Sequence, residues 1–138
     1  MSQVVTNMNW LVARFVERVP VVRQAVVVSS DGLALAVSEG VDREAGERLA
    51  AVSSGMIGLA YGSAGRFGVG AVSNVIVEME RGWMLITGIR DGSLMCAITE
   101  HDCDIGTVAY EMAAFAASAG EVLDPAARVE LKQALLNS

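Results

Sequence analysis

The sequence predicts an α+β fold in which a five-stranded antiparallel sheet is flanked by helices on both faces. Helical and β-rich segments follow one another in the order α-β-β-α-β-β-β-α, with one more helix at the end. Tight turns that contain glycine join neighbouring β-rich segments, and strands joined in this way run antiparallel. A chain of 138 residues has room for one hydrophobic core. We therefore predict one domain over residues 1–138, with its core over about 6–119 and a tail helix over about 124–136.

The first helix has an apolar face at helical spacing. That face consists of Met8, Val12, Phe15 and Val19. Thr6 or Asn7 can cap its start, and Pro20 ends it. Trp10 lies on the opposite side, beside Arg14. Three interpretations of Trp10 stay open: a ring lying along the surface, a ring covered by the chain's own tail, or an anchor for a partner protein.

Five β-rich runs supply the sheet. They cover residues 21–30, 33–38, 71–80, 83–90 and 93–99. Three turns separate runs that follow each other directly: Asp31-Gly32, Arg81-Gly82 and Asp91-Gly92. An Asp-Gly pair between β-rich runs predicts a hairpin, because both turn positions tolerate positive φ. The last two runs are apolar on both faces, which predicts helices on both sides of the sheet.

Residues 41–63 predict a long central helix that begins at the cap residue Asp42. Four small residues share a narrow arc of this helix: Ala51, Gly55, Gly58 and Gly62. A separate apolar stripe is expected to face the protein's own core: Leu49, Val52, Met56 and Leu59. Three glycines within a helix cost about 3 kcal/mol relative to alanine. We therefore predict that another backbone comes close to the arc, and that Ile57 and Tyr61 join it in an interface with a second copy of the chain.

Two further helices follow the sheet. Asp102 or Asp104 can cap the third helix, and Gly120 is expected to stop it. The pair Asp124-Pro125 has the residue types of a cap and a first helical position, and opens the tail helix.

Three groups of residues have types that could serve catalysis or ligand binding, but the sequence around each group favours a simpler, structural explanation. The glycine-rich residues 62–70 follow a helix and lack the lysine of a phosphate-binding loop. His101 and Cys103 are too few ligands for a structural zinc site, and the acidic residues around them are better explained as helix caps. Glu78 and Glu80 share a strand face without neighbours that would separate their pKa values, which favours solvent-facing charges. We therefore predict no catalytic, cofactor-binding or metal-binding residues.

Net charge and hydrophobic patterning restrict the kinds of partner and the cellular compartment that we expect. A net charge of −6 argues against nucleic-acid binding. The chain has no apolar run long enough for a membrane span and no leader pattern, so we expect a cytoplasmic protein that does not insert into membranes. Cys96 and Cys103 are expected to be free thiols in a reducing compartment.

The order of elements, the Asp31-Gly32 hairpin, the small-residue central helix and the strand over residues 75–78 together resemble the Roadblock/dynein light-chain family, and within it the bacterial MglB-like branch. The resemblance implies a profilin-like order of elements and a dimer. In that dimer the central helix packs against its copy and the third strand pairs with its copy. On this sequence the strand part of the interface comprises Ser73, Asn74, Val75, Ile76 and Val77.

The resemblance also implies partners. Family members bind small Ras-like, or MglA-like, GTPases, and some are encoded beside such a GTPase and a membrane histidine-kinase-like protein. The preferred hypothesis is therefore a dimeric, non-enzymatic regulator or scaffold for a small GTPase. One alternative is a small-molecule sensor of the α/β-sandwich type, with a pocket near Cys103 and His101. Another is a scaffold that binds the GTPase without altering its turnover.

Overall fold

The computed structural model describes residues 2–137, and its elements follow the predicted order. The helices are α1 (Gln3–Arg18), α2 (Arg43–Ala64), α3 (Ile105–Val122) and α4 (Pro125–Leu136). The strands are β1 (Val22–Val28), β2 (Ala34–Val37), β3 (Asn74–Met79), β4 (Gly82–Gly88) and β5 (Leu94–Glu100). Among the described helices, none is long and apolar enough to cross a membrane.

The five strands form one antiparallel sheet in the order β2-β1-β5-β4-β3. The β1–β2 hairpin therefore joins the β3–β4–β5 meander through pairing of β1 with β5. Both β2 and β3 lie at edges of the sheet. The predicted fold class is confirmed.

The sheet has a separate apolar core on each face. Ala25 and Val27 of β1 belong to the core beneath α1 and α3, whereas Val26 and Val28 belong to the core beneath α2. Since successive strand residues point to opposite faces, α2 lies on one side of the sheet and the α1/α3 pair lies on the other. Helices therefore flank both faces of the sheet, as predicted.

Two of the predicted helix ends are wrong. Helix α1 begins at Gln3, because the Ser2 hydroxyl accepts a hydrogen bond from the Val5 amide at 3.3 Å and caps the helix one turn before Thr6. Helix α3 continues past Gly120 to Val122. Gly120 therefore lies within the helix, where a β-carbon would meet that of Arg90, in the β4–β5 turn, at an ordinary contact distance of 3.4 Å.

The other predicted caps are confirmed. The carboxylates of Asp42, Asp104 and Asp124 accept hydrogen bonds from the amides three residues later, at 2.8, 3.3 and 2.7 Å. The first hairpin turns at Asp31-Gly32 as predicted, and Gly32 has a φ of +83°.

Helix α4 packs against α1 and β2, with Ala127 and Leu131 buried. It also carries two cations that pair with the hairpin turns. Arg128 pairs with Asp91, and the Lys132 ammonium lies 3.2 Å from the Asp31 carboxylate. The tail helix thereby connects the β1–β2 and β4–β5 turns.

Candidate interaction surface

The inner face of α2 differs from the predicted one. The residues buried against the sheet are Gly46, Ala50, Ser53 and Ile57. Val52 and Leu59, predicted for the core, are 44% and 77% exposed, while Leu49 and Met56 contact the core from its flank. Ser53 is tolerated inside because its hydroxyl donates to the Leu49 carbonyl at 2.6 Å, which satisfies its polar group within the helix.

The placement of Ile57 corrects a second prediction. Its side chain is only 3% exposed and belongs to the core between α2 and the sheet, so it does not contribute to an outer surface. Tyr61 is about half exposed and leans over β4, where a β-carbon at Gly88 would lie 2.4 Å from the Tyr61 hydroxyl. The glycine at position 88 leaves room for the Tyr61 ring.

The outer face of α2 carries the predicted small-residue arc. Ala51, Gly55, Gly58 and Gly62 are all exposed. A β-carbon built at any of the three glycines would meet no other group within 4 Å. Because Val52 and Leu59 border the arc, the surface is apolar as well as nearly flat.

Charge is confined to the start of α2. Arg43 pairs with Glu47 at 2.9 Å, and Arg48 pairs with Glu44 at 3.0 Å. The sequence then has no charged residue over positions 49–65. A surface of this length without charge is typical of the core of a protein interface.

The neighbouring sheet edge is open. Strand β3 pairs with β4 in a regular register, and the described residues place no strand on its other side. Val75 and Val77 are half-buried towards α2, whereas Asn74 and Ile76 are exposed on the opposite face. The strand begins at Asn74, so Ser73, predicted as part of it, lies in the preceding loop.

The loop between α2 and β3 joins these two surfaces. It exposes Phe67 and Val69 almost fully, at 68% and 82%. In the sequence, the glycines of this loop suggested a comparison with a phosphate-binding loop, whereas the signal for a surface was the pair of large apolar residues between glycines. The end of α2, this loop and the start of β3 line one depression. We call the outer face of α2, this loop and the edge of β3 the α2–β3 surface.

Two of the residues considered for catalysis, His101 and Glu78, belong to a cluster with Trp83 that links neighbouring elements of the fold. His101 Nε2 lies 2.8 Å from a Glu78 carboxylate oxygen, and the Trp83 ring stacks on the His101 ring at a centroid distance of 5.6 Å. The Trp83 indole also donates to the His101 carbonyl at 2.9 Å. This cluster ties β3 and β4 to the segment after β5. Within residues 2–137, no group of three His, Cys, Asp or Glu side chains is arranged to hold a metal ion.

The predicted pocket near His101 and Cys103 is an open depression at the end of the sheet. Charged residues such as Arg23, Glu80 and Asp102 line it together with His101, and Cys103 is not among its lining residues. Cys96 is buried beneath α2, and this burial raises the pKa of its thiol to about 12. Its thiol is therefore protonated at neutral pH and unsuited to act as a nucleophile.

Trp10 lines a groove between α1 and α3, together with Phe115 and Ser118 of α3. Its side chain is 58% exposed, so the interpretation in which the tail covers it is wrong. The Arg14 guanidinium lies over the indole ring, 5.4 Å from its centroid.

Comparisons with known proteins agree with this architecture. A family model described as Roadblock/LC7 domain matches residues 8–99. No curated protein matches the chain. A solved Roadblock/LC7 domain from Streptomyces avermitilis is 32% identical, with a TM-score of 0.74 over 80% of this chain and 92% of that one.

Two more distant structures are similar in fold. Myxococcus xanthus MglB is 13% identical, with a TM-score of 0.78 over 90% of this chain and 96% of that one. A chain in the complex of LokiProfilin1 with rabbit actin is 13% identical, with a TM-score of 0.58 over 89% of this chain and 98% of that one. These likenesses confirm the predicted Roadblock-like and profilin-like order of elements.

Proposed function

This chain belongs to the Roadblock/LC7 family, and on that premise we propose that it is a dimeric regulator or scaffold, without catalysis of its own, that binds a small Ras-like GTPase. The observation that carries the dimer is the α2–β3 surface, in which an uncharged helix face lies beside an open strand edge. The GTPase follows from the resemblance to MglB-like regulators.

Two copies would associate through a two-fold axis beside β3. The small-residue arc lets two α2 backbones approach to the short end of the usual interhelical range of about 8–10 Å. The two β3 strands would pair at the same time and extend the sheet across both protomers. A two-fold interface brings the same patch of both copies together, and two facing small-residue arcs and two antiparallel β3 strands would meet that requirement.

The energetics favour burial of this surface. The three glycines of the arc cost about 3 kcal/mol of helix stability. Burying a large apolar side chain yields about 1.5–3 kcal/mol, and Leu59, Phe67 and Val69 all lie exposed on the α2–β3 surface. Dimerisation would therefore offset the helix stability that the three glycines cost, whereas in an isolated protomer this cost is not offset.

The regulatory role is proposed for the cytoplasm. A dimer offers a GTPase a composite surface made by two protomers, and binding across it would activate, inhibit or localise the GTPase. A membrane histidine-kinase-like protein is the proposed upstream partner, because some MglB-like relatives are encoded beside one.

Light scattering after size-exclusion chromatography tests the dimer. We expect twice the protomer mass of 14.5 kDa at micromolar concentration. A β-carbon at Gly58 meets no group of its own protomer within 4 Å, so Gly58→Leu should leave the fold intact and weaken dimerisation at least tenfold by a steric block between the two helices. Ala113→Leu, at an exposed site on α3, is the matched control and should leave the mass unchanged.

A turnover assay tests the regulatory part. Ras-like GTPases from the native cytosol are recovered on the wild-type protein, and their GTP hydrolysis and localisation are compared with and without it. The proposal requires binding that Gly58→Leu reduces. A wild-type protein that is monomeric at micromolar concentration would contradict the dimer, and dimers that recover no GTPase would contradict the partner.

One cavity favours a second candidate function, that of a small-molecule sensor. The cavity has a volume of about 350 Å³ and lies between α2, β2 and α4. Its walls are mostly apolar, with Leu33, Val37 and Ala51 among them, and Lys132 and Arg43 lie at its rim. A thermal shift with a metabolite, in the absence of any shift with a GTPase, would favour this sensor over the regulator.

A further inference from the structure

We propose that the groove between α1 and α3 is a second docking surface, which binds an acidic amphipathic helix of a partner protein. The groove lies on the face of the sheet opposite α2. It therefore stays accessible when two copies associate through the α2–β3 surface, and the inference does not depend on that association.

The groove runs between two antiparallel helices. Phe15 contacts Phe115 edge-to-face at 5.8 Å, and Arg18 pairs with Glu111 at 3.4 Å one turn further along. The groove has a volume of about 230 Å³, and Ala114 and Ser118 keep the α3 side shallow. Small residues on one wall let a third helix approach closely.

Trp10 supplies an anchor at one end of the groove. Its indole is 58% exposed, although the guanidinium of Arg14 already lies over the ring at 5.4 Å. This cation–π contact restrains both side chains before any partner arrives, so little side-chain entropy remains to be lost. Partly exposed tryptophans of this kind dominate the binding energy of many interfaces.

The charge of the groove specifies an acidic partner. Three charged residues line it, Arg14, Arg18 and Glu111, and Glu111 already pairs with Arg18. Within residues 2–137, no carboxylate lies within ion-pair distance of Arg14. The groove is thus locally positive on a chain whose net charge is −6. A carboxylate that faces Arg14 would form a charge-assisted hydrogen bond with a guanidinium that the Trp10 ring already restrains.

The backbone hydrogen bonding of the groove walls favours a helical partner segment. Both walls of the groove are helices, whose amides and carbonyls are already paired within each helix. An extended peptide would find no backbone partners there and would leave its own backbone groups unsatisfied, whereas a helix satisfies them itself.

Selection from a displayed library of amphipathic helices, with random charges flanking an apolar stripe, tests the proposal. The wild-type protein should enrich acidic helices, and Trp10→Ala and Arg14→Glu should each weaken their binding at least tenfold. Arg81→Glu changes an exposed cation on the β3–β4 turn and should leave binding unchanged. Absence of enrichment, enrichment of basic or neutral helices, or binding insensitive to Trp10 would overturn the proposal.

The two tryptophans provide a direct readout. In a ¹H–¹⁵N spectrum the Trp10 indole resonance should shift on addition of a selected helix, whereas that of Trp83, hydrogen-bonded to His101, should not. Trp10→Ala should leave the dimer mass unchanged, and Gly58→Leu should leave the Trp10 shift unchanged. Failure of this site is thereby distinguishable from failure of the proposed dimer.

Discussion

The two edge strands of the sheet, β2 and β3, differ in length, in the regularity of their pairing and in the elements that cover them. Strand β2 is short, its pairing with β1 contains an irregularity at Val27/Val28, and helix α4 packs against it. Strand β3 pairs regularly with β4 along its whole length, and α2 overlies one of its faces. Unprotected edges invite pairing with other chains, and proteins usually blunt them by short strands, bulges or covering elements. This sheet blunts the β2 edge and leaves the β3 edge regular, so β3 is the edge at which the proposed dimer would pair.

The difference shows what α4 contributes. The family match ends at residue 99, so α4 lies outside it. It is nevertheless firmly attached, since Leu131 is fully buried and Arg128 and Lys132 pair with the two hairpin turns. We infer that α4 stabilises the β2 side of the domain, whereas the β3 side is left for association.

Removing the anchor of α4 should have the largest effect. Leu131→Ala leaves a cavity beneath α4 and should lower the free energy of unfolding by about 2–5 kcal/mol in urea titrations. Leu136→Ala, on the same helix but more than half exposed, is the matched control and should cost far less. Equal losses from both substitutions would show that α4 is not anchored through its buried face.

A charge at each edge of the sheet tests the comparison directly. Ile76 of β3 is 41% exposed, and Leu33, directly before the opposite edge strand β2, is 51% exposed. Ile76→Lys places like charges near the proposed two-fold axis and should raise the dimer dissociation constant about tenfold, or about 1.4 kcal/mol. Leu33→Lys should leave it unchanged in sedimentation equilibrium. The reverse result would assign pairing to the β2 edge.

Acid should weaken the attachment of α4 by a smaller amount. The pKa of Asp31 lies below its ordinary 3.8, because the Ser29 hydroxyl donates to its carboxylate and Lys132 lies nearby. Burial raises the pKa of Asp91, but hydrogen bonds from Ser93 and the charge of Arg128 outweigh it, so that this pKa is also lowered from 3.8.

A lowered folded-state pKa means that the folded protein binds fewer protons than the unfolded chain. The stabilisation is therefore complete above about pH 4 and is lost as pH falls through the folded-state values. Asp91→Asn should flatten this loss in unfolding titrations between about pH 5 and 2. Val129→Ala, a change at an exposed, non-titrating residue of the same helix, should leave the slope unchanged.

Much of the fold follows from local signals in the sequence. Asp-Gly turns, aspartate caps and alternating β-rich runs were sufficient for the order of elements. The pairing of β1 with β5 was not predictable in this way, because it joins segments about seventy residues apart, such as Val26 and Cys96, with no local signal.

The candidate surface was predicted only in part. The small-residue arc was identified, but hydropathy assigned Val52 and Leu59 to the core in place of Ser53 and Gly46. Close packing explains the difference, since a β-carbon at Gly46 would lie 2.8 Å from a Val37 methyl group. Where a helix approaches a sheet this closely, small residues fit at the contact, and Ile57 is the one large apolar residue among those that α2 buries there.

The position of α4 along the chain has a consequence during synthesis. Strand β2 leaves the ribosome long before Pro125–Leu136, so the nascent sheet presents both of its edges to other chains until the last helix emerges. Translation that stalls in this interval would yield a polypeptide with two sites for misassociation, and chaperones that shield nascent strands would matter most at that stage.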